Sequence, residues 1–144
     1  MMANRINTKR ALLGGLLAAA LIFLVNGAMN GIVLHSQLES WAQSMSSVRH
    51  PLAPAHAMGH WTLMCILYGV VGVWIYAGIR PRYGAGPGTA LRVSLILWLV
   101  AKLATALDLA TIGLLPPSLI AGQALTGLVA LLVGIPAGAW LYRE

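Results

Sequence analysis

Hydrophobic residues fall into four long runs that are separated by short polar segments. The runs cover about residues 11–34, 57–79, 91–114 and 119–142. Each reaches the length of about 20 mostly apolar residues that a bilayer-spanning helix needs. The first run is longer than the apolar core of a signal peptide, so we expect it to be retained. The pattern predicts an all-α, four-helix transmembrane bundle in which residues 1–144 form a single integral membrane domain.

The polar segment after the first run has a helical pattern of its own. Ser36 is followed three residues later by Glu39, which is the spacing of a capping box. Leu38 and Trp41 then lie on one helical face. We expect a short amphipathic helix at about residues 37–46 that lies on the outer membrane interface. A disordered polar loop is the alternative.

Basic residues are unevenly distributed between the two ends of the predicted helices. One end carries Arg49 alone, whereas the other carries Arg5, Lys9, Arg10, Arg80, Arg82, Arg92 and Arg143. Lys and Arg stay in the cytoplasm when helices insert into a membrane. We therefore expect both termini, and the connection between the second and third spans, to face the cytoplasm.

Composition supports the same class of protein. Apolar residues make up 59% of the chain, charged residues only 8%, and the mean hydropathy is +0.82. A soluble domain carries about 25% charged residues because its surface faces water. Since the basic residues flank apolar runs instead of forming a patch, the net charge of +6 is explained by topology, and we expect no nucleic-acid partner. Cys65 is the single cysteine, so an intrachain disulfide is excluded.

Two charged side chains interrupt the third run. Lys102 lies near its centre, and Asp108 follows six residues later, about 120° further around the helix. We therefore expect each to meet groups of other spans, such as Asn26, Asn30 or Gln123. A charged residue inside a membrane is a candidate for binding or coupling. A buried structural anchor, or contact with a partner subunit, is the alternative.

Small residues at four-residue spacing indicate close helix contacts. Asn26-Gly27 is repeated as Asn30-Gly31, which places two amides and two glycines on adjoining faces of the first span. Gly134 and Gly138 form a second GxxxG pair in the fourth span. Such pairs let helix backbones approach closely. We expect both pairs to serve helix packing, with ligand binding by the amides as the alternative.

The histidines are candidates for a metal or haem site. His56 and His60 are four residues apart, which would place both on one helix face, and His35 ends the first span. An outer loop is also where polar residues collect for reasons of solvation alone. We therefore expect no cofactor, and keep a metal or haem bound by these three residues as the alternative.

The chain also shows signs of an internal duplication. Residues 72–76 and 138–142 share a Gly-x-Trp-x-Tyr pattern, and each is followed closely by arginine. Two hairpins of the same orientation would form a tandem repeat in which Asn26 corresponds to Asp108. Alternatively, Trp and Tyr recur there because they favour the membrane interface.

The connection between the second and third spans carries the most distinctive motif. It reads YAGIRPRYGAGPGTA over residues 76–90, and Arg80 and Arg82 lie where lipid headgroups are expected. This stretch resembles an uncharacterised family of small four-span bacterial membrane proteins with a Y-A-x-I-R-P-R-x-G-x-G-P-x-T-A loop. The resemblance implies a four-span architecture in a bacterial inner membrane, and no activity.

No combination of nucleophile, base and orienting residue is readable, so we expect no enzymatic activity. The sequence favours a non-catalytic polytopic inner-membrane protein, either an accessory subunit of a larger membrane complex or a homo-oligomer, whose partners are the lipid bilayer and other membrane subunits or itself. The alternative is a small transporter or channel that uses Asp108 and Lys102. A metal- or haem-binding membrane protein is the third interpretation.

Overall fold

The computed structural model describes residues 6–48 and 50–142, so Arg5, Arg49 and Arg143 of the charge count lie outside the described residues. Five helices account for most of the chain: α1 (Thr8–Val33), α2 (His35–Ser44), α3 (Pro54–Tyr83), α4 (Pro87–Ile112) and α5 (Pro117–Leu141). The part of the chain that is described contains no strand. All four predicted spans are confirmed as helices long and apolar enough to cross a membrane.

The helices start two to four residues earlier than the apolar runs. Pro54, Pro87 and Pro117 each occupy the first position of a helix, where the missing N–H costs nothing and the fixed φ favours the helical conformation. Pro81, which follows the second apolar run, lies inside α3, and the helix continues to Tyr83. Because the helix has only two more residues after Pro81, the lost hydrogen bond affects its last turn alone.

The four long helices form a bundle in which α1 packs along α3 and α5, and α4 packs on α5 and α3. The side chains that enclose the centre are mostly small or aliphatic: Ala11, Ala18, Ile22, Val73, Ala130, Leu131 and Ile135. Large apolar side chains point outwards, as Ile32 and Val100 do. This distribution suits a bundle that is surrounded by lipid. Since α5 is the most buried span and α4 the least, much of α4 remains uncovered.

Glycines form the seam between α1 and its two neighbours. A Cβ atom built on Gly14 would lie 2.5 Å from the Gly138 carbonyl oxygen, and one on Gly15 would lie 2.6 Å from the Val70 Cα. A Cβ on Gly134 would lie 2.5 Å from Ile22 Cγ1. Gly134 and Gly138 therefore do lie at a close helix crossing. The partners of this seam on α1 are Gly14 and Gly15, which the sequence reading did not single out.

Gly27 and Gly31 do not take part in this packing, so the expectation that they do is wrong for a single chain. A Cβ atom on either glycine would meet no atom within 4 Å, and both residues are exposed. The reason is rotational. The helix face that carries Asn26 and Asn30 turns toward α5, and the adjoining glycine face is left outside.

Aromatic and polar contacts join the segments at the end of the bundle where α1 begins and α5 ends, here called the terminal end. The Tyr76 hydroxyl accepts a hydrogen bond from the Gly86 amide, and the Tyr142 hydroxyl accepts one from the Asn7 amide, both at 3.2 Å. The two tyrosine rings meet edge to face with centroids 6.4 Å apart. The guanidinium of Arg80 lies 5.8 Å from the centroid of the Tyr142 ring. The start of α1, the α3–α4 connection and the end of α5 are thus tied together.

The short helix α2 lies at the opposite end, here called the α2 end. Its existence confirms the prediction for this segment, but it starts at His35, two residues before the expected bound. The capping box is wrong, because Ser36 lies inside the helix and no side chain caps it. The indole of Trp41 donates a 3.0 Å hydrogen bond to the Leu114 carbonyl after α4, which holds α2 against the bundle. The side of the membrane that each end faces, and the tandem repeat, stay predictions.

Candidate functional site

Amide side chains connect α1 to α5 in the half of the bundle near α2. Asn26 is buried, and its backbone carbonyl accepts a 2.8 Å hydrogen bond from the Asn30 side-chain amide. The Asn30 side-chain oxygen accepts a 2.6 Å hydrogen bond from Gln123 Nε2. The structure thus brings together three of the polar residues that the sequence indicated. The Asn30–Asn26 bond lies within α1, whereas the Asn30–Gln123 bond joins α1 to α5, and a bond between helices in a membrane is worth about 1 kcal/mol.

Two of the spanning helices, α1 and α4, contain a π-helical turn that holds a polar residue. The turns are Met29–Val33 in α1 and Trp98–Leu103 in α4. In the first, the Leu34 amide donates to the Met29 carbonyl five residues back, at 3.1 Å. A π turn inserts an extra residue into the helix and is frequent at functional sites. Here one π turn contains Asn30 and the other contains Lys102.

Lys102 lies within the bundle and contacts an aromatic ring. Its ammonium is 4.7 Å from the centroid of the Tyr68 ring on α3, a cation–π geometry. Its aliphatic stem runs beside Gly127 of α5, where a Cβ atom would lie 3.1 Å from the Lys102 Cγ and Cδ atoms. A larger residue at this position would therefore displace the lysine. Close by, the indole of Trp98 donates a 2.8 Å hydrogen bond to the Ala124 carbonyl.

A cavity of about 370 Å³ lies beside Lys102, between α2, α3, α4 and α5. Most of its wall is apolar, with Leu38 of α2 at the α2 end and Met64 of α3 along one side. The polar residues in its wall are Tyr68, Lys102, Thr105 and Gln123. Its size is within the range of small-molecule sites, about 300–1,000 Å³. A single cation in a mostly apolar wall can bind an anionic group that is attached to an apolar body.

Asp108 does not face this interior, so the expectation that it lines a polar core together with Lys102 is not met in a single chain. It is exposed on the outer face of α4 and does not border the cavity. None of the described residues forms a hydrogen bond or an ion pair with its carboxylate. The cause is that α4 lies at the edge of the bundle, with only α3 and α5 as covering neighbours. A rotation of about 120° from the half-buried Lys102 therefore reaches the outside.

The three histidines proposed as ligands are not brought together in one cluster in the part of the chain that is described. No group of three His, Cys, Asp or Glu side chains suited to a metal ion occurs there. His35 lies 3.3 Å from the Glu39 carboxylate, and a ring nitrogen of His60 lies 2.8 Å from the His56 carbonyl oxygen. His56 and His60 are thus joined by a contact within their own helix, between the ring of one and the backbone of the other.

Arg80 and Arg82 have different surroundings at the terminal end. Arg82 is exposed, as expected for a residue that meets lipid headgroups. Arg80 is half-buried against the Tyr142 ring. Its first contact is therefore with the protein, and the distinctive loop motif has a structural role in closing this end of the bundle.

The sequence reading missed Tyr68, Trp98 and Gly127 as residues of the site. The first two carried a usable signal, since each lies well inside an apolar run and away from the helix ends where membrane proteins concentrate Trp and Tyr. An aromatic residue at that depth needs a partner for its polar group. Gly127 carried no signal, because only the packing shows which side chain it accommodates.

Comparisons of the chain with protein-family models, with curated proteins and with solved structures returned no match. The proposed function is therefore based on the geometry of the described residues.

Proposed function

We propose that this chain is a non-catalytic accessory subunit of a larger membrane complex, and that it attaches to its partner through α4. The observation that carries the proposal is the carboxylate of Asp108, which lies on an uncovered face of a membrane-spanning helix. The surrounding exposed positions of α4 are uncharged, and some of them are small or apolar, as at Ala104 and Leu107. A neighbouring helix could therefore approach closely.

The carboxylate of Asp108 is a charge within a membrane-spanning helix, and its exposure to lipid costs free energy. Asp108 lies four residues before the end of α4 at Ile112, or about 6 Å along the helix axis. A carboxylate that faces lipid costs up to about 3 kcal/mol, with the highest cost at the bilayer centre. The nearby hydroxyls of Thr105 and Thr111 donate to carbonyls of their own helix, of Ala101 and Leu107, and leave the carboxylate without a donor. A partner that supplies a donor removes this cost.

Charge complementarity favours a partner of different sequence over a second copy. A twofold contact through α4 would place two Asp108 carboxylates near each other, which is repulsive. The membrane-embedded cation that the chain could offer, Lys102, lies inside its own bundle. We therefore propose a partner transmembrane helix that carries Lys or Arg at the depth of Asp108, and treat a homo-oligomer as an outcome of the test.

The test is site-specific photo-crosslinking in native membranes. A photo-reactive residue replaces Leu107 on the uncovered face of α4, and the matched control replaces Leu16, an exposed leucine on α1. The proposal expects a product from position 107 and not from position 16, formed with a transmembrane segment that contains Lys or Arg. The substitution Asp108→Asn, which keeps the shape and removes the charge, should reduce this product at least fivefold.

Three outcomes would contradict the proposal. They are a product at position 107 that consists of two copies of this chain, equal products at both positions, and a product that Asp108→Asn leaves unchanged. The first would support a homo-oligomer instead. Since Lys102 and Asp108 have different surroundings, we do not propose that the pair acts in transport.

We further propose a bacterial inner membrane as the location, with the terminal end in the cytoplasm. The support for this orientation is the charge distribution, since the exposed Lys9, Arg10 and Arg82 all belong to that end. Reporter fusions test this orientation. A fluorescent protein fused after residue 144 should fold and fluoresce, whereas an alkaline phosphatase fused there should be inactive. The opposite pair of results would reverse the proposed orientation.

A further inference from the structure

We infer that the cavity beside Lys102 is a binding site for a single-chain amphiphile with an anionic headgroup. The headgroup would lie at the Lys102 ammonium, and the apolar chain would lie along the wall formed by Leu38, Met64, Leu109 and Ile120. The site is separate from the α4 face of the proposed function, because Lys102 and Asp108 project in different directions.

The Lys102 ammonium has no anionic partner among the described residues. Lys102 lies ten residues before the end of α4, or about 15 Å along the axis, which is deep within a membrane span. The described residues include two acidic side chains. Glu39 contacts His35 on α2, and Asp108 faces outwards. Neither lies in the wall of the cavity, so within the described chain the ammonium has the Tyr68 ring and no anion.

The chemistry of the cavity wall favours an anion that is attached to an apolar chain. A free inorganic anion would exchange its hydration shell for one ammonium, a few neutral polar groups and a mostly apolar surface, which is unfavourable. An anion attached to an alkyl chain gains the burial of that chain, at roughly 0.8 kcal/mol for each methylene group. The Gln123 amide also borders the cavity, and one of its two N–H groups remains after its bond to Asn30. The wall therefore offers a cation and a neutral donor to the headgroup.

The size of the cavity favours a ligand with a single apolar chain. The volume of about 370 Å³ lies at the lower end of the range for small-molecule sites. Leu38 of α2 and Leu115 before α5 restrict the cavity at the α2 end. A single chain suits such a space better than the two chains of a phospholipid. A carboxylate such as that of a medium-chain fatty acid has the matching form, and one chain of an anionic phospholipid would present the same chemistry.

The test measures binding of decanoate to the purified chain in nanodiscs of zwitterionic phosphatidylcholine, by isothermal titration calorimetry. The variants are Lys102→Met, which removes the charge at similar length, and Lys102→Arg, which keeps it. Lys9→Met is the matched control, since it removes the same charge from an exposed position at the terminal end. The neutral analogue 1-decanol tests the headgroup.

Decanoate should bind the wild-type chain and Lys9→Met with equal affinity. Its Kd should rise tenfold or more in Lys102→Met, since a hydrogen bond to a charged group is lost, and should stay within about threefold in Lys102→Arg. Decanol should bind at least tenfold more weakly than decanoate. Equal affinity of decanoate for the wild-type chain and Lys102→Met, or of decanol and decanoate for the wild-type chain, would overturn the inference.

Two further arms separate the sources of the ligand and test the cavity by a substitution away from Lys102. If the site takes the membrane's own lipid, nanodiscs of phosphatidylglycerol should suppress decanoate binding, and native mass spectrometry should show this lipid retained by the wild-type chain and not by Lys102→Met. If binding is unchanged there, the ligand is a free amphiphile. Ala106→Phe narrows the cavity without changing its charge and should also weaken binding tenfold. If this variant binds normally, or if neither decanoate nor phosphatidylglycerol binds the wild-type chain, the inference is wrong.

Discussion

The crossing of α1 and α5 at Gly14 provides a sharp test of the packing described above. The change is Gly14→Ala, which adds one methyl group to a helix where alanine is otherwise the most favourable residue. The new Cβ would lie 2.5 Å from the Gly138 carbonyl oxygen, whereas ordinary contacts begin at 3.4 Å. The two helices must therefore separate by about 0.9 Å, the difference between these distances, because a backbone oxygen cannot rotate away as a side chain could.

This separation sets the magnitude of the effect. A radial gap of about 0.5–1 Å already removes a quarter to a half of the dispersion energy of each atom pair along a contact. Overpacking in a close-packed core costs about 1–3 kcal/mol. The gain in helix propensity from glycine to alanine is at most about 1 kcal/mol in water and acts in the opposite direction. We expect the free energy of unfolding to fall by about 1–2 kcal/mol.

The matched control is Gly27→Ala on the same helix. A Cβ atom there would meet nothing within 4 Å, so only the propensity term applies, and stability should stay equal or rise slightly. The assay is reversible unfolding of the purified chain in mixed micelles, with helix content followed by circular dichroism as the fraction of sodium dodecyl sulfate increases. Equal losses in both variants, or no loss in Gly14→Ala, would refute the proposed seam.

Three further predictions concern the hydrogen bonds between segments. Substitution of alanine for Asn30 and Gln123, singly and together, should give a coupling energy of about 0.6–1.7 kcal/mol in the same unfolding assay, and a value near zero would show that the 2.6 Å bond contributes nothing. Tyr76→Phe removes the acceptor for the Gly86 amide and should speed hydrogen exchange in the α3–α4 connection, with no change at the α2 end. Replacing Trp41 with Phe should release α2 and speed its exchange, and unchanged exchange would mean that other contacts hold this helix.

The sequence predicted the number and type of the spanning elements because length and apolar content decide them. It was less successful at their bounds, where proline can end one helix or start the next. Pro81 and Pro87 are six residues apart in the same connection, yet the first lies within α3 and the second begins α4. The difference comes from contacts around them, including the Tyr76 hydroxyl on the Gly86 amide, that a linear pattern does not contain.

Several polar residues of the candidate site were predictable from the sequence, but Tyr68, Trp98 and Gly127 were missed and the arrangement of the site was not predicted. Asn30, Lys102 and Gln123 were identified because polar groups are costly in lipid, and that argument is independent of packing. Which side of each helix would be covered depends on the order of helices around the bundle. The same reasoning therefore placed Gly27 and Asp108 inside the bundle, whereas the packing leaves both residues on its outer surface.

Helix α4 thus contributes residues to both proposed sites, the cavity beside Lys102 and the outer face around Asp108. Lys102 belongs to a π turn in α4 and faces the cavity, whereas Asp108, in the α-helical segment that follows, faces outwards. A partner that binds the outer face would contact the same helix that forms a wall of the cavity. The two sites are nevertheless separable by single substitutions, because neither side chain contacts the other. Asp108→Asn should leave decanoate binding unchanged, and Lys102→Met should leave the crosslink at position 107 intact. If each substitution affected both readouts, α4 would have to shift as a unit, and the sites would be coupled through this helix.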